Sequence, residues 1–181
     1  MNASEDIFRA YDIRGIYGEE LDAEIGERVG LAFGNYLKKT HRSGKISIGC
    51  DARVSSPELQ MAVSRGVSKA GFGVDVIGMV PIPVANYFTW KSNINSENYI
   101  AGVYITASHN PAEYNGIRFR HPDGTGFTEG NLEIKKIFFD DEEVWKPLIH
   151  ADKPTLLLSN PPYIPSKDIE ELDAVVKDFE P

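Results

Sequence analysis

Strand-like and helix-like patterns alternate along most of this 181-residue chain, and that alternation limits the folds open to it more than any other feature. Phe8 to Ile13 reads as a short extended segment before Gly15 and Gly18 interrupt it. From Asp22 to Lys39, Ile25, Val29, Ala32, Phe33, Tyr36 and Leu37 recur at helical spacing. Asp22 is placed to cap that helix, and Lys38 and Lys39 suit the negative end of its dipole. Lys45 to Cys50 alternates as a strand. Ser55 and Ser56 followed by Pro57 announce a second helix, with a capping serine and a proline in its first turn. Its apolar stripe runs Leu59, Ala62, Val63, Val67, Ala70, and Gly71 ends it. Val74 to Ile77 predicts a strand. Pro81 and Pro83 predict a stiff loop, with a shorter helix through Trp90. Tyr99 to Thr106 is apolar enough for a central strand. Asn115-Gly116 is a turn signal before Ile117 to Phe119, and Thr128 opens a helix through Ile137.

Strands separated by helices of about one to four turns predict an α/β fold, a three-layer α/β/α domain with a mixed, largely parallel sheet. Loops at the carboxyl ends of such strands are where ligands bind. Three fall there: Asp51 to Ser56, Gly78 to Pro83, and Ala107 to Tyr114. Composition agrees with a packed domain, at 41% apolar and 25% charged residues. The net charge of −8 argues against non-specific nucleic-acid binding, which needs clustered Lys and Arg. No apolar run is long enough to span a membrane, and Met1 to Asp6 has no signal-peptide core. Cys50 is the only cysteine, so no intrachain disulfide forms. These features together point to a cytoplasmic protein.

The texture changes after Phe139. Asp140 to Glu143 is acidic, Pro147 and Pro154 bracket a polar connector, and Thr155 to Leu158 reads as a strand. The last 33 residues carry −4, half of the total charge, yet one strand and one helix cannot supply a core. The expected organisation is therefore a domain over 1–140, a linker over 141–154 and an orphan piece over 155–181.

The most chemically loaded segment is Thr106-Ala107-Ser108-His109-Asn110-Pro111, which leaves a strand for a polar loop. A serine hydroxyl is a poor nucleophile unless a base, a metal or a phosphate changes its chemistry. His109 could serve as base or hydrogen-bond donor, and Asn110 could fix the loop through its own backbone. Equally, Ser, His, Asn and Pro are ordinary loop residues. A Ser-His-Asp hydrolase is the weaker reading, because no G-x-S-x-G elbow surrounds Ser108.

Five ordered motifs over about residues 5 to 140 resemble the α-D-phosphohexomutase superfamily. Phe8-Arg9-Ala10-Tyr11-Asp12-Ile13-Arg14-Gly15 looks like the opening of phosphomannomutase/phosphoglucomutase enzymes, and Thr106 to Pro111 resembles their phosphoserine loop. Gly49-Cys50-Asp51-Ala52-Arg53 followed by Ser55-Ser56-Pro57 is similar to a second signature. Pro81-Ile82-Pro83 and Asn115-Gly116 sit in the expected order. The Tyr-Asp-Ile-Arg-Gly version favours that branch over phosphoglucosamine mutases.

The resemblance implies an isomerase that passes a phosphoryl group between phosphoserine and a hexose monophosphate through a bisphosphate. It assigns Ser108 as phosphate carrier and Mg²⁺ as cofactor, held partly through the Ser108 phosphate. It places Tyr11 and Arg14 beside that serine, with Asn110 among the substrate-binding residues. The family often has lysine where this chain has Arg118. Arginine stays protonated and is no convenient base, so Arg118 would stabilise phosphate charge, and the lysine's proton transfer either passes to His109 or is lost with reduced activity.

Strings of the family's later domains are absent: there is no Asp-Gly-Asp-x-Asp-Arg magnesium loop, Gly-Glu-x-Ser-Gly sugar loop or Arg-x-Ser-x-Thr phosphate loop. The chain alone is therefore expected to be inactive as a mutase. In the tail, Ser159-Asn160-Pro161-Pro162-Tyr163 resembles the catalytic motif of release-factor glutamine N5-methyltransferases, in which an asparagine and a proline carbonyl orient the acceptor nitrogen. No Gly-rich donor loop accompanies it, since Asp123-Gly124-Thr125-Gly126 reads as a hairpin loop. Asn160, Pro161, Pro162 and Tyr163 are therefore expected to be non-functional. Two further classes stay open: a methyltransferase fragment, and a non-catalytic interaction module that self-associates through surfaces the other domains would cover.

Overall fold

The computed structural model describes residues 3–40, 43–94, 98–128 and 130–140. The linker and orphan piece expected over 141–181 lie outside them. A short 3-10 turn at Glu5–Ile7 leads into β1 (Ile13–Ile16), α1 (Ala23–Lys39), β2 (Lys45–Cys50), α2 (Ser56–Lys69), β3 (Gly73–Met79), α3 (Ile82–Ile94), β4 (Tyr99–Ile105), β5 (Tyr114–Arg120) and α4 (Asn131–Asp140). The five strands form one sheet in the order β1-β5-β4-β2-β3. It is mixed, as expected: β2 pairs in parallel with β3 and β4, while β5 runs antiparallel to both β4 and β1.

The topology dictates the layers. From β2 the chain steps outward to β3 through α2, then returns across β2 to β4 through α3. Crossovers of one hand must then place α2 and α3 on opposite faces. Alternation along the strands agrees. Ile46, Ile48, Val103, Ile105, Ile117 and Phe119 join residues of α1, α2 and α4 in the main core. Ile77, Ala85 and Tyr104 form a small second cluster against α3. On that second face, the Ser47 and Thr89 hydroxyls hydrogen-bond at 2.6 Å, tying β2 to α3.

On the main face, α1 and α2 approach closely enough to exclude side chains. A Cβ on Gly66 would lie 1.9 Å from the Glu27 carbonyl oxygen, and one on Gly30 would lie 2.3 Å from that of Val63. Asp22 caps α1 as expected, its Oδ1 accepting from the Ile25 N–H at 2.8 Å. Phe33 stacks on Phe119 at 4.1 Å between ring centres, locking α1 to β5.

Several local expectations are corrected. Phe8 makes only an isolated bridge to Ile13, and the first strand runs on through Gly15. Ser55 sits at the N-cap of α2 with no side-chain capping bond. Its hydroxyl instead accepts from Asn115 Nδ2 at 2.8 Å. Asn115-Gly116 is not a turn but lies inside β5, where Asn115 is buried and pairs across the sheet with Gly15. Pro83 belongs to α3 rather than to a loop, because proline is tolerated in the first turn of a helix. The hairpin reading of residues 123–126 holds: the His121 N–H donates to the Thr125 carbonyl, and Arg120 bridges Gly126.

Candidate functional site

The loop after β4 leaves the sheet at the carboxyl edge of the parallel strands. Ser108 in it has φ +56°, and among the described residues no other non-glycine residue has positive φ. A side chain in that region costs of order 1–3 kcal/mol and persists only where the surroundings enforce it. Those surroundings come from β2 and its following loop. Arg53 donates from Nη1 to the carbonyls of Pro111 (2.6 Å) and Tyr114 (2.9 Å), and from Nη2 to those of Ser108 (3.0 Å) and Asn110 (2.7 Å). One guanidinium thus gathers four carbonyls of the serine loop, with only 13% of its side chain exposed.

Asp51 completes the clamp. Its Oδ2 faces Arg53 Nε at 3.3 Å and accepts from Thr106 Oγ1 at 2.7 Å, while its Oδ1 accepts from Ser56 Oγ at 2.6 Å. Thr106 Oγ1 in turn accepts the Ser108 N–H at 2.9 Å. The carboxylate therefore joins the strand end, the helix start and the serine loop. Charge-assisted bonds of this kind are roughly twice as strong as neutral ones. In the sequence, Asp51 and Arg53 stand out only as members of the Gly49-Cys50-Asp51-Ala52-Arg53 string. Their position in a carboxyl-end loop was the available signal.

The serine itself is presented outward. Its Oγ lies 3.0 Å from His109 Nδ1, an exposed pair. Cys50, at the nearby end of β2, is no rival nucleophile. Burial, with the adjacent Asp51 charge second, pushes its thiol up to about 11.

A second cluster adjoins this loop on the β1–β5 side. Arg14 Nη1 donates to Asn110 Oδ1 at 3.2 Å, and Arg14 Nη2 pairs with Asp12. Asp12 also faces Arg118 Nε at 3.6 Å, and its side chain is only 9% exposed. The fold thus brings together Arg14, Asn110 and Arg118 around one carboxylate, beside Ser108 and His109. Tyr11 is not drawn in: it is 66% exposed, and its hydroxyl has no hydrogen bond among the described residues. Asn160, Pro161, Pro162 and Tyr163 lie outside the described residues.

A divalent cation does not fit the donors present. No group of three or more His, Cys, Asp or Glu could hold a metal among the described residues. Asp51 and Asp12 are spent on Arg53, Ser56, Thr106, Arg14 and Arg118. Likewise, no helix among the described residues is long and apolar enough to cross a membrane.

Comparison with known proteins places this geometry. The family described as phosphoglucomutase/phosphomannomutase, alpha/beta/alpha domain I, matches residues 5–145. A phosphoglucomutase/phosphomannomutase of Thermococcus kodakarensis is 34% identical over 164 residues, covering 81% of this chain and 35% of the relative. A phosphoglucosamine mutase of Clostridium acetobutylicum is 38% identical over 139 residues, covering 76% of this chain and 30% of the relative. A solved phosphoglucomutase/phosphomannomutase family protein from Burkholderia thailandensis superposes with a TM-score of 0.67 at 32% identity, over 77% of this chain and 31% of that one. The chain thus spans about a third of the length of these proteins.

Proposed function

This chain belongs to the phosphoglucomutase/phosphomannomutase family, as its α/β/α domain I, and from that premise we propose that it is the phosphate-carrying domain of a hexose-phosphate mutase, with Ser108 as the carrier. The observation that carries the proposal is the enforced left-handed backbone at Ser108, clamped by Arg53 while its hydroxyl stays exposed. That is the arrangement a covalent carrier needs: a fixed backbone and a free oxygen.

In the proposed reaction the bond between phosphorus and Ser108 Oγ breaks as a bond from phosphorus to a hexose hydroxyl oxygen forms. The hexose hydroxyl loses its proton, and the freed serine oxygen gains one. His109 Nδ1, at 3.0 Å, is positioned to hold the proton at the serine oxygen. Arg118 stays a cation at any ordinary pH, so its part is to balance phosphate charge. Arg14 shares that role through its fork, and Asn110 orients it. Phosphoserine carries close to two negative charges at neutral pH and needs such neighbours. Tyr11, exposed at the entrance to β1, is assigned to the arriving sugar.

The donors among the described residues do not supply a Mg²⁺ site, so further ligands would come from outside them. Names among the relatives divide between phosphoglucomutase/phosphomannomutase and phosphoglucosamine mutase, so the proposal extends to phosphohexoses as a class. Residues 1–140 form the carrier domain in this reading. Residues 141–154 connect it to a separate piece over 155–181, and turnover by the chain alone is negligible.

The test is phosphopeptide mass spectrometry of the full chain, as purified and after incubation with glucose 1,6-bisphosphate. Phosphate is expected on Ser108 and absent from Ser108→Ala. A chain that never carries phosphate at Ser108 would end the proposal.

A further inference from the structure

Asn115 is fully buried at a position where the strand pattern calls for an apolar residue. Alternation along β5 sets it on the same face as Ile117 and Phe119, which belong to the main core. A buried primary amide is costly unless its oxygen and both its N–H groups find partners. Here they do. Oδ1 accepts the Gly116 N–H at 2.8 Å, and Nδ2 donates to Ser55 Oγ at 2.8 Å and to Ser56 Oγ at 3.0 Å. The amide has one workable orientation, because a reversed one would set its NH2 against the Gly116 N–H.

From Asn115 the bonds run in one direction. A hydroxyl has a single proton to give. Ser56 Oγ, receiving from Asn115, gives its own to Asp51 Oδ1 at 2.6 Å. Asp51 Oδ2 takes the proton of Thr106 Oγ1 at 2.7 Å, which leaves that hydroxyl oxygen to accept the Ser108 N–H at 2.9 Å. The backbone then closes the ring: the Thr106 N–H donates to the Gly116 carbonyl at 3.0 Å, and the Gly116 N–H returns to Asn115. Asn115, Ser56, Asp51, Thr106 and Gly116 thus form a closed circuit across β5, the start of α2, the loop after β2 and the end of β4. Ser108 hangs from it at Thr106. Ser55 takes the other Asn115 proton but makes no bond to Asp51 among the described residues, so it lies outside the circuit.

We infer that Asn115 is a positioning residue for Ser108: through Ser56, Asp51 and Thr106 it fixes the serine backbone so that Oγ stays aimed outward. Its consequence for phosphoryl transfer rests on the reading of Ser108 as the carrier. Arg53 clamps the loop from its carbonyl side. The circuit holds it from the amide side, at the residue whose left-handed φ needs enforcement. Bonds to the Asp51 carboxylate are charge-assisted, and hydrogen bonds in series polarise one another, so loss of the first link is felt at the last. A reacting oxygen held slightly out of place loses rate without losing affinity for the molecule it meets.

The experiment compares Asn115→Ala, Ser56→Ala and Ser55→Ala in the full chain. Each removes at least one bond of the same amide, but only the first two break the circuit. Urea unfolding gives the stability of each, and ¹H–¹⁵N NMR follows the Ser108 amide. In Asn115→Ala and Ser56→Ala, exchange of that amide is expected to accelerate about tenfold beyond what lost stability explains, with an upfield shift of its proton. Ser55→Ala, which also costs Asn115 one bond, is expected to leave the Ser108 amide as in the parent. Phosphorylation of Ser108 by glucose 1,6-bisphosphate should fall about tenfold or more in maximal rate in the two circuit variants, at the parent's half-saturating concentration. Ser108 exchange that only tracks global unfolding, or Ser55→Ala matching Ser56→Ala, overturns the inference. So does a weaker half-saturation at an unchanged maximal rate. A parent that never takes phosphate ends the carrier reading, and the amide comparison then decides the role of Asn115 alone. If Asn115→Ala fails to fold, the two serine variants carry the comparison.

Discussion

The two faces of the sheet are built by opposite means. The face under α1, α2 and α4 is closed by shape: apolar side chains interlock, and glycines let two helices touch backbone to backbone. The face toward α3 has only a small apolar cluster and carries charge beside it. Arg14, Arg118 and Arg120 lie along it with Asp12 between the first two, and Arg53 organises the serine loop at its edge. Shape complementarity is satisfied within the protein and leaves nothing over. Charge can be left partly unbalanced within a folded domain.

The largest expected effect breaks the closed face. Gly66→Ala places a methyl group 1.9 Å from the Glu27 carbonyl and within 2.6 Å of the Leu31 amide, contacts only a shift of α1 could relieve. Overpacking of this kind costs about 1–3 kcal/mol, and backbone contact sets the cost here at about 3 kcal/mol or more. A urea midpoint within error of the parent would refute the close-packing argument. Ser108 presentation should change only in proportion to unfolding.

Arg53 is the converse case, with a smaller effect on stability and a larger one on the loop. Arg53→Ala leaves four loop carbonyls and Asp51 without their cation, at an expected cost of about 2 kcal/mol. Arg53→Lys keeps the charge but not the fork and should cost less. In both variants, hydrogen exchange at the Ser108 and His109 amides should accelerate well beyond what the lost stability explains. Exchange that merely tracks global unfolding would show that Arg53 stabilises the fold without positioning the serine.

The smallest effect is on the outer rim of the closed face, where Glu27 pairs with Arg65 at 2.8 Å and with Lys69. Burial acts against the carboxylate, but hydrogen bonds from Lys69 and Arg65 outweigh it and hold the carboxyl below its ordinary value. A lowered carboxyl contributes stability that is full above its unfolded pKa and is lost as pH falls through the folded one. Glu27→Gln should therefore lower stability at neutral pH by less than about 1 kcal/mol, since the partners are half exposed, and leave it unchanged in strong acid. An equal loss at both ends of the pH range would rule out the ion pair as its source.

Local patterns carried much of the fold. The caps and stripes of α1, the strands β2, β3 and β4, and the start of α2 were readable because helix and strand periods are set by neighbours in sequence. The serine loop was also readable, because Thr106 to Pro111 is one contiguous string that resembles a family motif. What failed had a partner far along the chain. Asn115-Gly116 looked like a turn, and becomes the middle of a strand because Asn115 finds Ser55 and Ser56, 60 and 59 residues away. Ser55 looked like a cap and is engaged by that same asparagine.

The sequence by itself determined the alternation, the layer architecture and the identity of the serine loop, because each rests on residues within a few turns of one another. Tertiary structure alone decided what holds the loop and where charge is left over. Arg53 meets its four carbonyls across 55 to 61 residues, and Arg120 Nε is buried without a hydrogen-bond partner among the described residues. A side chain's period is local, but its partner, or the lack of one, belongs to the folded sheet.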